Sequence, residues 1–165
     1  RKRMWLLREQ PSGMRRPSTS EGFLFSHSVI DQATVEAYRQ TDYRVDCATP
    51  FVLRIGQFSV ELLTAHKRHG VSCSAYVTAC NPFSHGLDRL ANAARQAELE
   101  NELLRRGLPY AGGTGQHPSN GWPGEDSFLV FGLTLDGAKE LGCRHEQNAV
   151  VWSGADATPQ LILLR

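Results

Sequence analysis

Asn81, Ser84 and His85 lie between an apolar run that ends at Ala79 and a long helical pattern that opens near Leu87. Asn92 and Arg95 follow three residues apart inside that pattern, a spacing that puts both on one helix face. An amide beside a guanidinium can grip a carboxylate or phosphate, and a helix N-terminus offers free N–H groups to the same anion. The plainer reading is that Asn81-Pro82 is a turn and that Arg95 pairs with a nearby acid such as Glu98. Glu125 and Asp126 stand just before the apolar strand at Phe128. Paired carboxylates divide acid and base work when their surroundings differ, whereas acids in turns are usually solvated. Gln147 and Asn148 open a later apolar run, where buried amides commonly satisfy loop backbone.

Other chemistry-bearing residues carry less. Gly112-Gly113-Thr114-Gly115 with His117 could let backbone amides approach a phosphate. The run lacks the Gly-Lys-Ser/Thr ending of a P-loop and opens onto no helix, so a flexible hairpin or a lid is the reading it supports. His66 and His69 have a metal-capable spacing, but no carboxylate lies near them and Lys67-Arg68 intervene, which favours a helix-end role and no metal. Cys80 ends a buried strand and reads as core, not nucleophile. No nucleophile elbow and no His-Glu-x-x-His occurs, and the sequence points to no cofactor.

The elements that must position these groups are legible from caps and periodicity. Asp31 caps a short helix through Tyr38, and Ser59 caps another that stops at Gly70. Tyr43–Val45 and Phe51–Ile55 read as strands, as does Ser74–Ala79. The long helix runs from about Leu87 to Arg106, with Leu87, Leu90, Ala91, Ala94, Ala97 and Leu104 as its apolar stripe. Leu108–Ala111 reads as an edge strand, because a proline is tolerated there. Residues 112–126, with five glycines and two prolines, read as loop. Phe128–Phe131 is a strand, Thr134 caps a helix to about Leu141, and Ala149–Trp152 and Leu161–Leu164 are the final strands.

Strand, helix, strand, strand, helix, strand from residue 74 to 153 is the order of the split βαβ unit. The expectation is an α+β domain with a ferredoxin-like βαββαβ core, an added N-terminal strand–helix and a C-terminal strand. Its length of 165 residues suits one domain, expected over residues 29–165. Residues 1–28, rich in Arg, Ser, Pro and Gly, read as a basic disordered tail. Arg1 stands where an initiator methionine would, and Met4 and Met14 are candidate starts.

Charge bounds the partners. Residues 1–20 carry a net +5, so with +1 for the chain the remainder is −4. A mildly acidic domain is not expected to track nucleic acid; a basic tail is most simply solvated. The four cysteines form no Cys-x-x-Cys pair, and no apolar stretch is long enough for a signal-peptide core or a membrane span. Reduced thiols in a cytoplasmic protein follow.

Six phrases recur in a fixed order: Tyr38-Arg39-x-Thr41-x-Tyr43, Phe51-x-Leu53-Arg54-Ile55-Gly56, Thr78-Ala79-x-Asn81-Pro82-x-Ser84, Asn92-x-x-Arg95, Trp122-Pro123-Gly124-Glu125-x-Ser127-Phe128 and Gln147-Asn148-Ala149-Val150-Val151-Trp152. Together they resemble a bacterial family known as domain of unknown function 3293, over roughly residues 29–165. The resemblance implies a small bacterial cytosolic protein and supplies no catalytic residues. Cys80 stands where that family usually has an aromatic, and His145-Glu146 where Phe-Gly is usual.

The expected function is therefore binding of, or action on, a small anionic or nucleotide-like ligand. Asn81, Ser84, Asn92, Arg95, Glu125 and Gln147 would form the site, closed by residues 112–124. The alternative is a non-catalytic module that docks a protein by a sheet edge or helix face.

Overall fold

The computed structural model describes residues 28–165; the basic tail lies outside them, apart from Ser28. Four α-helices and a seven-stranded antiparallel sheet make a mixed α+β architecture. In chain order these are α1 (Gln32–Gln40), β1 (Asp42–Asp46), β2 (Phe51–Leu53), α2 (Val60–His69) and β3 (Ser74–Val77). Then follow α3 (Arg89–Arg105), β4 (Tyr110–Gln116), β5 (Glu125–Phe131), α4 (Leu135–Arg144), β6 (Ala149–Ser153) and β7 (Gln160–Leu163). The strands lie in the order β2-β1-β4-β5-β3-β6-β7.

Local chemistry starts each helix. Asp31, Ser59, Asp88 and Thr134 accept hydrogen bonds from the backbone N–H three residues on, at 2.8–3.1 Å. Gly70 ends α2 in the left-handed conformation that only glycine adopts freely.

Both faces of the sheet are covered. Ala75, Val77, Phe128, Val130 and Val150 pack against Leu99 and Leu103 of α3 and Ala138 and Leu141 of α4. The alternate residues Tyr76, Leu129, Phe131 and Val151 face the other way, toward Leu62 of α2. This is why β3 and the end of β5 read as unbroken apolar runs. Leu99 and Leu103 are fully buried, each worth about 1.5–3 kcal/mol of transfer free energy.

Three expectations are corrected. The buried face of α3 is Gln96, Leu99, Glu102 and Leu103, whereas Ala94 and Ala97 are exposed and Leu90 is 84% exposed. Two polar residues sit inside with hydrogen-bond partners, Gln96 through its Oε1 to the Ala79 N–H after β3 and Glu102 to Arg106, Arg144 and His145. The glycine run is not a loop. Residues 110–116 form an interior strand with β1 on one side and β5 on the other. Gly113 lets its neighbours close in. A Cβ on Gly113 would stand 2.6 Å from the Tyr76 hydroxyl and closer still to the Arg44 carbonyl. Finally, the N-terminal addition is larger than a strand–helix, comprising α1, β1, β2 and α2.

Candidate functional site

The chain leaving β3 is pinned from behind by α3. Gln96 Oε1 accepts from the Ala79 N–H (3.0 Å), and Arg95 Nε donates to the Ala79 carbonyl (2.7 Å). Beyond this anchor the backbone is strained. Asn81, Phe83 and Ser84 have φ of 47°, 51° and 60°, and such conformations cost on the order of 1–3 kcal/mol each in non-glycine residues. Asparagine tolerates this region, Phe and Ser much less. A hydrogen bond from the Phe83 N–H to the Glu146 carbonyl (2.7 Å) helps hold the turn.

Asn81 and Asn92 lock one another. The Asn81 N–H donates to Asn92 Oδ1 (2.8 Å), which leaves Asn92 Nδ2 to donate to Asn81 Oδ1 (2.9 Å). That same Asn81 oxygen accepts the Leu87 N–H (2.9 Å). Backbone donors therefore fix both amides, and Asn81 Nδ2 must face Glu125, donating to its Oε1 at 2.6 Å. Trp122 Nε1 donates to the same oxygen at 3.1 Å. Glu125 Oε2 has no hydrogen-bond partner among the described residues. Burial pushes the Glu125 carboxyl above the usual glutamate range, against the lowering effect of the two hydrogen bonds.

Glu125 stands in a cleft of about 380 Å³ on the α2 side of the sheet. Ala33, Ala37 and Tyr38 of α1 form its roof, Tyr76 and Val151 its floor, and His117, Asn120 and Trp122 one wall. The tyrosine hydroxyls are engaged elsewhere. Tyr43 donates to the Tyr38 carbonyl and Tyr76 to the Arg44 carbonyl, both at 2.6 Å. Burial pushes both phenols far up. The Tyr38 hydroxyl bonds Ser84 Oγ, and Asn148 Nδ2 donates to both of these oxygens (3.1 and 3.2 Å).

Of the residues expected at the site, Asn81, Ser84, Glu125 and Gln147 line this cleft. Asn92 stands one layer behind as the partner of Asn81. Arg95 is not with them, contrary to expectation. Its guanidinium faces a second cleft, donating to the His145 carbonyl (2.8 Å) and pairing with Glu146 (3.3 Å) rather than Glu98. It is a strut between β3 and the α4 terminus. Gln147 Nε2 donates to the Cys80 and His145 carbonyls, both at 3.1 Å. Asp126 is exposed, away from Glu125's setting.

The second cleft is saturated with its own ion pairs. Glu102, almost wholly buried, accepts from Arg106 (2.7 Å), Arg144 and His145 (3.0 Å). His66 is buried against Ser74 Oγ (2.8 Å) while His69 stacks on Phe131, so the two rings do not converge. Among the described residues no group of three or more His, Cys, Asp or Glu is placed to hold a metal. Cys80 is buried with its thiol pushed up by desolvation, which suits core. Sequence reasoning missed Tyr38, Tyr43, Tyr76 and Trp122 as cleft residues. The one available signal was that they recur in the quoted phrases or in a buried strand.

The fold and cleft define a small mixed α+β protein with one pocketed sheet face. Residues 77–150 match the model of a family described as a protein of unknown function, DUF3293. The matched segment contains Asn81, Ser84, Asn92, Glu125 and Gln147 and leaves Tyr38 outside. No curated protein and no solved structure matches the chain. No helix among the described residues is long and apolar enough to cross a membrane.

Proposed function

We propose that this protein binds a small organic molecule in the cleft between α1 and the sheet, with Glu125 as the polar anchor. The observation that carries the reading is the half-satisfied carboxylate: Oε1 takes two hydrogen bonds, while Oε2 is left open inside a cleft walled by alanine, valine and aromatic side chains. Apolar pockets with a few convergent polar groups are the usual form of small-molecule sites, and a carboxyl shifted by burial is a common companion. The anionic ligand expected from Arg95 is not retained, since that guanidinium belongs to the other cleft and no Lys or Arg among the described residues lines this one.

The frame supporting the cleft is read as a ferredoxin-like core. Support comes from the order β4-β5-β3-β6, with α3 and α4 packed on one face. Such sheets host unrelated roles, so the cleft and not the frame carries the proposal. Four unpaired cysteines favour a reducing, cytoplasmic setting. Docking of a protein partner is the weaker reading, because the outer strand β2 has only three residues.

Thermal unfolding against a panel of amines, amino acids, nucleosides and sugars tests the reading. A ligand at 100 times its Kd adds ~2.7 kcal/mol, or roughly 5–10 °C for a chain of this size. The shift should occur in the wild type and vanish in Ala37→Trp, which fills the cleft from α1. A panel without any shift, or shifts that survive Ala37→Trp, would sink the proposal.

A further inference from the structure

We infer that the cleft selects an organic cation, a protonated amine carrying an apolar or aromatic body, over neutral and anionic molecules of the same shape. This rests on the reading that the cleft binds a small molecule and adds the charge of its ligand.

The charge inventory points one way. Among the described residues Glu125 is the only carboxylate in the lining, and no Lys or Arg joins it. His117 is the only basic side chain there among the described residues, and both its nitrogens are engaged. Nδ1 accepts from the Ser119 and Asn120 N–H groups, and Nε2 bonds Gln40. Asp126 is exposed, and Cys80, packed behind, is held as the neutral thiol by burial. An anion would meet an unscreened carboxylate with no cation to offset it. A cation would complete the open Oε2, in a medium where a charge-assisted hydrogen bond is strong.

Aromatic chemistry points the same way. With their hydroxyls bonded to backbone or to Ser84, Tyr38, Tyr43 and Tyr76 offer the cleft ring surface rather than donors. Trp122 is tied through Nε1 to Glu125, which brings its indole beside the carboxylate. Aromatic rings beside a carboxylate attract ammonium groups through their quadrupole and repel anions. The lock from Asn92 through Asn81 keeps Oε1 occupied, so one oxygen remains for the ligand. That suits a single ammonium better than a group with two parallel donors, which would need both oxygens.

The test is calorimetric titration with three probes of one shape, benzylammonium, benzyl alcohol and benzoate, at pH 7.5 and low salt. Wild type, Glu125→Gln and Ala37→Trp are compared. Benzylammonium should bind at least tenfold tighter than the alcohol, and benzoate weakest. Glu125→Gln should erase the preference for the ammonium over the alcohol, and Ala37→Trp should abolish all binding. Benzyl alcohol or benzoate binding as tightly as the ammonium, with loss in Ala37→Trp, would overturn the cation inference and leave a binding cleft. Absent benzylammonium binding, or binding that persists in Ala37→Trp, also overturns it; the broader panel then judges the cleft separately.

Discussion

Asn92→Asp swaps one amide nitrogen for oxygen and should be among the most damaging surface-near changes in this protein. In the wild type Asn92 Oδ1 accepts the Asn81 N–H, and Nδ2 donates to Asn81 Oδ1 at 2.9 Å and to the Leu87 carbonyl at 3.3 Å. A carboxylate keeps the first bond but turns an acceptor toward two acceptors. Flipping Asn81 does not rescue it. The Leu87 N–H would lose its acceptor, and the Asn81 oxygen would face Glu125. One neutral hydrogen bond is worth about 1 kcal/mol net, and a mismatched part-buried polar group costs about 1–3 kcal/mol more. A loss near 3 kcal/mol, or roughly 6–12 °C in Tm, is expected at pH 7. The helix dipole predicts the opposite sign, since a negative charge in the early turns of α3 would stabilise by ~0.3–1 kcal/mol. Urea unfolding at pH 7 decides between them. A variant as stable as the wild type, or more so, would refute the amide lock and with it the fixed orientation of Glu125.

Three further outcomes are expected. Glu125→Gln should raise Tm at neutral pH, because it removes a desolvated charge while the amide oxygen still accepts from Asn81 and Trp122. The folded pKa lies above the unfolded one, so the wild type loses stability as pH rises through that window. The variant's advantage should be full above the raised pKa and gone below the ordinary glutamate range; an advantage independent of pH between 4 and 8 would contradict the burial argument. Gly113→Ala should cost about 2 kcal/mol or more by overpacking the Arg44 carbonyl and Tyr76 hydroxyl, and a denaturant midpoint unchanged by the substitution would show that β4 is not held where described. Burial lowers the pKa of His66, so the unfolded chain takes up the proton first and stability falls as pH drops below about 6.5. A flatter stability slope between pH 7.5 and 5.5 in His66→Met, whatever its absolute stability, would bear this out, and an identical slope would not.

Local signals made much of the frame legible. Asp31, Ser59 and Thr134 cap the helices expected of them, and the apolar runs at Ala75 and Phe128 are the two strands buried on both faces. What failed were features set by distant neighbours. Gly113 of β4 resembles loop because its role, close approach by Tyr76 and the Arg44 carbonyl, is written 37 and 69 residues away. The apolar stripe of α3 was misplaced because Gln96 and Glu102 are buried by partners on other elements. At the site, polar residues at strand ends marked Asn81, Ser84, Glu125 and Gln147. Arg95 stands apart because its helix neighbour Asn92 reaches the cleft residue Asn81, whereas its own guanidinium reaches the Ala79 and His145 carbonyls.

The strain at Phe83 and Ser84 completes the physical case for α1 as a cover. Glycine would relax both positions, so these side chains must return something for the conformation they force. Ser84 Oγ bonds the Tyr38 hydroxyl and accepts from Asn148 Nδ2. Helix α1 has no buried residue of its own, so Tyr38, together with the Tyr43 bond to its carbonyl and the His117 bond to Gln40, ties the roof to the rest of the fold. Ser84→Gly should therefore separate two quantities that usually move together. Relief of the positive φ returns on the order of 1 kcal/mol, against about 1 kcal/mol for the lost hydrogen bonding, leaving global stability nearly unchanged. The α1 amides, released from their latch, should exchange with solvent faster by tenfold or more, while those of β3 and β5 keep their protection. Unaltered α1 exchange would mean that the roof is held by packing alone, and the strained turn would then need another explanation.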